Sequence, residues 1–109
     1  MPADTYSETQ DQLTLIRPDD WHVHLRDGDS LEQTTRDMSR YMGRAIVMPN
    51  LTPPICTVAQ AEAYRARICS AMQLLPRQVE PLMVLYLTDK TSVADIEAAA
   101  ASDIVYGAK

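Results

Sequence analysis

The sequence GRAIVMPNLTPP, residues 43–54, contains the clearest indication of a fold in this chain. Its apolar run, residues 45–48, is continuous and stops at Pro49, as expected of a short strand that is buried on both faces of a parallel sheet. Asn50 and the adjacent prolines Pro53 and Pro54 follow at once, and they predict a loop. We therefore place a buried strand at residues 45–48 and a loop directly after it.

Amphipathic helices are predicted on both sides of this strand. Two capping-box patterns, Ser30 with Gln33 and Thr57 with Gln60, predict helix starts, and Gly43 predicts the end of the first helix. The apolar stripe of the first helix consists of Leu31, Thr34, Met38 and Tyr41. That of the second consists of Val58, Ala61, Tyr64, Ile68, Met72 and Leu75, at the 3.6-residue period of a helix.

The remaining segments continue the alternation of strands and helices. Residues 13–16 and 21–25 have an extended pattern, residues 82–87 form another buried apolar run, residues 92–101 form a third helix and residues 103–108 a fourth strand. This order is typical of a parallel sheet covered by helices. The fold class is therefore α/β.

Two architectures fit this order of elements. One is a doubly wound open sheet, and the other is the N-terminal part of a β/α (TIM-type) barrel, which needs roughly 250 residues. The chain has only three glycines and no Gly-rich phosphate loop after a strand, which disfavours a nucleotide-binding open sheet. We assign residues 1–12 to a polar N-terminal tail and residues 13–109 to the first part of a single domain.

Composition and charge restrict the partners of the protein. Of its 109 residues, 46% are hydrophobic and 23% are charged, and the net charge is −5, which argues against nucleic acid as a partner. No apolar run approaches the roughly 20 residues that cross a bilayer, so no membrane is expected. The polar, acidic start is unlike a secretory signal, and Cys56 and Cys69 fit reduced thiols, so we expect a cytoplasmic protein.

His22 and His24 are the strongest candidates for a chemical role. They are the only histidines of the chain, and in a strand residues at this spacing point to the same face, where both rings could bind one metal ion. Arg26 continues along that face, while Trp21, Val23 and Leu25 are expected to point into the helix layer. The alternative is two half-exposed strand residues that bind no metal, because the pair supplies only two of the ligands of a zinc site.

Asn50 and Lys109 follow other strands. Asn50 is placed on the same rim as His24 and Arg26, where β/α barrels build their active sites, but an asparagine at this position could equally serve only to turn the backbone. Lys109, read alone, is simply a charged residue at the end of a strand.

The combination of these segments resembles a known family. RPDDWHVHLRDGD (residues 17–29), GRAIVMPNLTPP, PLMVLYLTD (residues 81–89) and IVYGAK (residues 104–109) strongly resemble the single-activity bacterial type of dihydroorotase in the amidohydrolase superfamily. The resemblance runs from about residue 13 to Lys109. It implies that the segment is the N-terminal portion of a catalytic β/α barrel two to three times longer.

The resemblance also implies a function and a site. The expected enzyme interconverts N-carbamoyl-L-aspartate and L-dihydroorotate in de novo pyrimidine biosynthesis, with two zinc ions per subunit, as a cytoplasmic homodimer. His22 and His24 would bind the more buried metal, Lys109 as N6-carboxylysine would bridge both ions, and Arg26 and Asn50 would hold the substrate carboxylate. No catalytic residue is expected within this segment, since the proton-shuttling aspartate and the remaining histidines of the family come later.

Three other functions stay open. One is another cyclic-amide hydrolase of the superfamily, such as a hydantoinase or an allantoinase, although Arg26 and the run MPN favour dihydroorotase. The second is a non-catalytic dihydroorotase-like assembly subunit, against which the presence of His22, His24 and Lys109 argues. The third is a small α/β binding module that folds from these residues alone.

Overall fold

The computed structural model describes residues 11–109, in which strands and helices alternate. The strands are β1 (Asp20–Val23), β2 (Arg44–Val47), β3 (Glu80–Leu85) and β4 (Val105–Ala108), and the helices are α1 (Leu31–Tyr41), α2 (Val58–Met72) and α3 (Val93–Ala101). All neighbouring strands are parallel and lie in the order β1-β2-β3-β4. The predicted parallel α/β architecture is confirmed. A sheet whose strands follow chain order without reversal is wound like a β/α barrel rather than a doubly wound sheet.

The core lies between the sheet and helices α1 and α2. Ala45 and Val47 of β2 and Met83 and Leu85 of β3 point towards the helices and are buried. The buried side chains of α2 are Ala61, Tyr64, Ile68 and Met72, all members of the stripe predicted for this helix. The opposite face of the sheet, called here the inner face, is lined by His22, Ile46, Met48 and Val84.

One of the two predicted capping boxes is present. The Gln60 amide donates to Thr57 Oγ1 at 3.2 Å, and the Thr57 amide donates to Gln60 Oε1 at 3.2 Å. The box predicted at Ser30 is wrong. The chain enters α1 through a 3₁₀ turn, so Ser30 has a helical backbone (φ −82°, ψ −16°) instead of the extended one that a cap requires, and its hydroxyl donates to the Asp27 carbonyl.

Several side chains lie elsewhere than predicted. Residues 13–16 form no strand, and Leu13, Leu15 and Ile16 are exposed. Trp21, predicted to pack in the helix layer, is 62% exposed, and the Arg44 guanidinium lies over its ring at 5.7 Å from the centroid.

The predicted stripe of α1 is correct in part, since Leu31 is buried and Met38 packs against the core. Thr35 and Ser39 are buried beside Leu31, while Tyr41 is exposed. The predicted N-terminal tail lies outside the described residues except for Asp11 and Gln12, which are exposed. None of the helices in residues 11–109 is long and apolar enough to cross a membrane.

Register shifts in β1 and β4 determine which side chains reach the inner face. Asp20 pairs with Ala45, but Val23 pairs with Val47, so β1 contains one residue more than its partner. A shift of one residue exchanges the two faces of a strand. Val23 therefore faces the helices with Val47, and the histidines on either side of it face inwards.

A register shift of the same kind occurs in β4. Met83 pairs with Val105, yet the next residue, Val84, pairs with Gly107, so one extra residue is accommodated around Tyr106. The extra residue turns Lys109 to the inner face, whereas strict alternation from Val105 would have pointed it towards the helices.

Candidate metal and substrate site

The two histidines converge at the carboxyl end of β1. His22 Nε2 and His24 Nε2 are 3.3 Å apart, and their ring centroids are separated by 5.2 Å. Two nitrogens that bind one tetrahedral zinc ion at about 2.1 Å would lie about 3.4 Å from each other. The separation of the two nitrogens is thus that of two adjacent ligands of a single ion.

The electrostatics of His24 favour the form that binds metal. Partial burial of the ring lowers the pKa of His24, and the positive charges of Arg26 and Lys109 and the neighbouring His22 lower it further. A histidine binds a metal ion only when its imidazole is unprotonated at the binding nitrogen. Residues 11–109 contain no group of three or more His, Cys, Asp or Glu side chains that could hold an ion.

Lys109 is fixed beside this pair by its backbone. Its amide donates to the Leu85 carbonyl and its carbonyl accepts from the Leu87 amide, both at 2.8 Å, so it extends the pairing of β4 with β3. His22 and Lys109 line one cleft of about 300 Å³ on the inner face. The Lys109 ammonium donates to Asn50 Oδ1 at 2.8 Å.

A second cleft, of about 450 Å³, lies on the adjacent rim. Arg26 and Asn50 line it together with the loop that follows β2. The Arg26 guanidinium presents a planar set of donors that matches a carboxylate, and the Asn50 amide can donate or accept. This combination suits an acidic small molecule of the size of the cleft.

The structure therefore brings the five residues singled out from the sequence to one edge of the sheet. His22, His24 and Lys109 meet at the inner face, and Asn50, through its hydrogen bond to Lys109, joins this group to the cleft of Arg26. Chemically, the arrangement combines two imidazole nitrogens, one primary amine, one guanidinium and one amide.

Sequence reasoning missed the groups that hold Arg26. Arg26 has a left-handed backbone (φ 62°), which costs a non-glycine residue about 1–3 kcal/mol, and its carbonyl accepts a hydrogen bond from the Tyr64 hydroxyl. Arg67 forms a double hydrogen bond with the neighbouring Asp27 at 3.1 and 2.9 Å. The 3.6-residue periodicity places Tyr64 only in the apolar stripe of α2. The available signal was its hydroxyl, which needs a partner when the ring is buried.

Comparison with known proteins identifies sequences and structures that are similar to this chain. No family model matches it. It is 59% identical over 99 residues to the dihydroorotase of Pseudomonas aeruginosa strain PAO1, 60% to that of Pseudomonas putida strain GB-1 and 57% to that of Ralstonia nicotianae. Each alignment covers 91% of this chain and 28% of the relative.

This chain is homologous to the N-terminal part of the dihydroorotases. It spans 28% of the length of the curated dihydroorotases that it matches. Its fold superposes on the crystal structure of dihydroorotase from Campylobacter jejuni with a TM-score of 0.72 and 32% identity, covering 84% of this chain and 26% of that one.

A second solved structure gives the same result. Dihydroorotase from Saccharomyces cerevisiae, in complex with 5-fluoroorotic acid, matches with a TM-score of 0.69 and 32% identity over 84% of this chain and 24% of that one. The prediction of the N-terminal part of a β/α barrel is confirmed by these matches to dihydroorotases, which are barrels of this type.

Proposed function

We propose that residues 1–109 belong to a metal-dependent dihydroorotase that interconverts N-carbamoyl-L-aspartate and L-dihydroorotate in pyrimidine biosynthesis. The observation that carries this proposal is the His22 and His24 pair, with Nε2 atoms 3.3 Å apart, in a chain 59% identical over 99 residues to a dihydroorotase. Both the pair's geometry and the neutral form favoured at His24 fit a metal ligand.

The proposed cofactor is a pair of zinc ions. His22 and His24 would hold one of them, and Lys109, as its carbamate, would contribute one oxygen to each. When bound, the ions would polarise the substrate carbonyl and lower the pKa of water. The ligands that complete the site, and the acid that carries the proton, are proposed to come from residues after Lys109.

The residues of the second cleft are proposed to bind the substrate. The Arg26 guanidinium would take the carboxylate of dihydroorotate as a bidentate pair, and the Asn50 amide would donate to the same group. This contact would hold the ring at one end in the cleft that Arg26 and Asn50 line. A bidentate pair also explains how a chain of net charge −5 retains an acidic substrate.

The decisive experiment uses the complete protein with zinc. We expect it to open dihydroorotate and to close carbamoyl-aspartate, to lose activity on removal of the metal, and to act poorly on hydantoin and allantoin. A preference for hydantoin or allantoin would assign another cyclic-amide hydrolase. Failure to turn over any of the three rings, with metal bound, would identify a non-catalytic assembly subunit.

The cytoplasmic location and the homodimer are further parts of the proposal. Both rest on the family resemblance. Light scattering of the complete protein at micromolar concentration tests the dimer, and a monomeric mass would contradict it.

A further inference from the structure

Helix α2 holds the loop that carries Arg26 at two successive residues. The Tyr64 hydroxyl donates to the Arg26 carbonyl, and one turn later the Arg67 guanidinium donates to both oxygens of Asp27 at 3.1 and 2.9 Å. Helix α1 adds a third contact, in which Thr34 Oγ1 donates to the carbonyl of the preceding loop residue at 2.7 Å. The backbone around Arg26 is therefore fixed from two helices.

Tyr64 is well suited to this contact. Its residue exposure is 0%, and the ring is packed in the core between α2 and the sheet. Burial raises the pKa of Tyr64 to about 12, and the Asp27 carboxylate adds to this effect, so the hydroxyl remains a donor at neutral pH. The Arg67 guanidinium lies over the ring, 5.3 Å from its centroid.

Arg26 depends on such a contact because of its backbone. Its φ of 62° lies in the left-handed region, which a residue with a side chain adopts only when its surroundings hold it there. The direction of the Arg26 side chain follows from this backbone. Loss of the bond to its carbonyl would let the peptide return to the ordinary region and turn the guanidinium away from the cleft that it shares with Asn50.

We propose that Tyr64 is a positioning residue for substrate recognition, which sets the direction of the Arg26 guanidinium through the hydrogen bond to the Arg26 carbonyl. The inference rests on the proposed function, because it takes Arg26 as the group that binds the substrate carboxylate. Tyr64 itself touches neither substrate nor metal.

The test is Tyr64→Phe in the complete, zinc-loaded enzyme. The substitution removes one hydroxyl and keeps the ring that fills the core. We expect KM for dihydroorotate to rise roughly tenfold, the effect of one lost hydrogen bond that leaves a carbonyl unpaired, while kcat changes less than about threefold and zinc content does not change. Tyr41→Phe, at an exposed tyrosine of α1, is the matched control and should leave KM and kcat unchanged.

A double-mutant cycle with Arg26→Met separates positioning from a general structural role. If Tyr64 acts through Arg26, Tyr64→Phe should raise KM little further once the guanidinium is absent. Additive effects of the two substitutions, or an unchanged KM in Tyr64→Phe, would overturn the inference. If Tyr64→Phe does not fold, Arg67→Met replaces it in the cycle under the same criteria. This substitution removes the hydrogen bonds between α2 and Asp27 in the same loop.

The cycle also distinguishes this inference from the proposed function. A large KM increase in Arg26→Met without one in Tyr64→Phe contradicts only the positioning role. An unchanged KM in Arg26→Met contradicts the role of Arg26 and removes the basis of both.

Discussion

His22 Nε2 lies 3.3 Å from His24 Nε2, although a regular register of β1 from Asp20 onwards would have turned both rings towards the helices. The residue inserted before Val23 brings both imidazoles to the inner face. An irregularity of the strand thus places the two proposed metal ligands on one face of the sheet.

Removal of either ring should therefore affect metal and activity together. In the complete protein we expect His22→Ala and His24→Ala each to lower bound zinc to well below one half of the normal content, and turnover by on the order of 100-fold or more. Metal analysis and a dihydroorotate assay on the same samples give both values. Gln33→Ala, on the exposed face of α1, serves as the control, and full zinc occupancy in either histidine variant would show that the pair is structural.

Arg26→Met should weaken substrate binding and spare the metal. The loss of a charge-assisted carboxylate contact of about 1.5–3 kcal/mol predicts a roughly 10- to 150-fold rise in KM with unchanged zinc content. Arg40→Met, at an exposed arginine of α1, is the matched control for removal of one guanidinium. Equal kinetics in both variants would remove Arg26 from the site.

The pair of Asp27 and Arg67 predicts a small dependence of stability on pH. Burial raises the pKa of Asp27, but the hydrogen bonds from Arg67 and from the Gly28 amide and the charge of Arg67 outweigh it, so the pKa is lowered below 3.8. Because the folded-state value is depressed, the stabilisation is complete above the unfolded pKa and is lost as the pH falls through the folded one. Asp27→Asn should therefore lower Tm at pH 7 and have a progressively smaller effect below about pH 4.

The size of this effect is limited by solvent. The pair is partly exposed, so we expect it to contribute about 1 kcal/mol or less. Asp29→Asn, at an exposed aspartate of the neighbouring 3₁₀ turn, is the control. A Tm difference between Asp27→Asn and the unmodified protein that persists undiminished to pH 2 would mean that the carboxylate is not the origin of the effect.

Residues 1–109 produced alone should not form a stable domain. Within the described residues, β1 and β4 each have one free edge, and large apolar side chains such as Trp21, Leu87 and Tyr106 are exposed. Closure of a barrel would cover both edges and these side chains. We expect poorly dispersed amide signals and no cooperative thermal transition, and a sharp transition with well dispersed signals would show that the segment folds independently.

The sequence predicts the elements of this fold better than it predicts the orientation of individual side chains. Apolar runs located β2 and β3, and the stripe of α2 was predicted correctly because 3.6-residue periodicity survives small errors in its limits. Strand alternation placed His22 opposite Val23 correctly. It could not reveal that both strands of the site shift register, since the shift becomes visible only against the partner strand.

Other departures have equally local causes. Ser30 and Gln33 are the residue types that a capping box requires. The 3₁₀ turn before α1, however, gives Ser30 a helical backbone conformation instead of the extended one of a cap. Trp21 is exposed, although strand alternation predicted that it packs in the helix layer. The contact of Tyr64 with Arg26 joins residues 38 positions apart, a pairing that no local pattern encodes.

Lys109 is the residue that we expect to carry a chemical modification. Its ammonium now binds Asn50 at 2.8 Å and shares a cleft with His22. A cation in this position would repel two divalent ions bound beside it. The unprotonated amine can attack carbon dioxide, forming one C–N bond as a C–O π bond opens and releasing one proton, and the carbamate that results is an anion with two oxygens.

Carbamylation would change the charge of Lys109 from positive to negative. This change predicts the behaviour of three variants and the effect of bicarbonate. The carbamate of Lys109 would supply two oxygen ligands to the proposed zinc ions. Metal-free enzyme without bicarbonate should therefore recover slowly with zinc alone and faster when bicarbonate is added. Lys109→Ala and Lys109→Arg should both lose the second ion and nearly all turnover, because neither side chain can carry a carbamate, whereas Lys90→Ala, at an exposed lysine, should behave normally. A free amine at Lys109 in the intact mass of active enzyme, or two zinc ions and normal rates in Lys109→Ala, would exclude the carbamate.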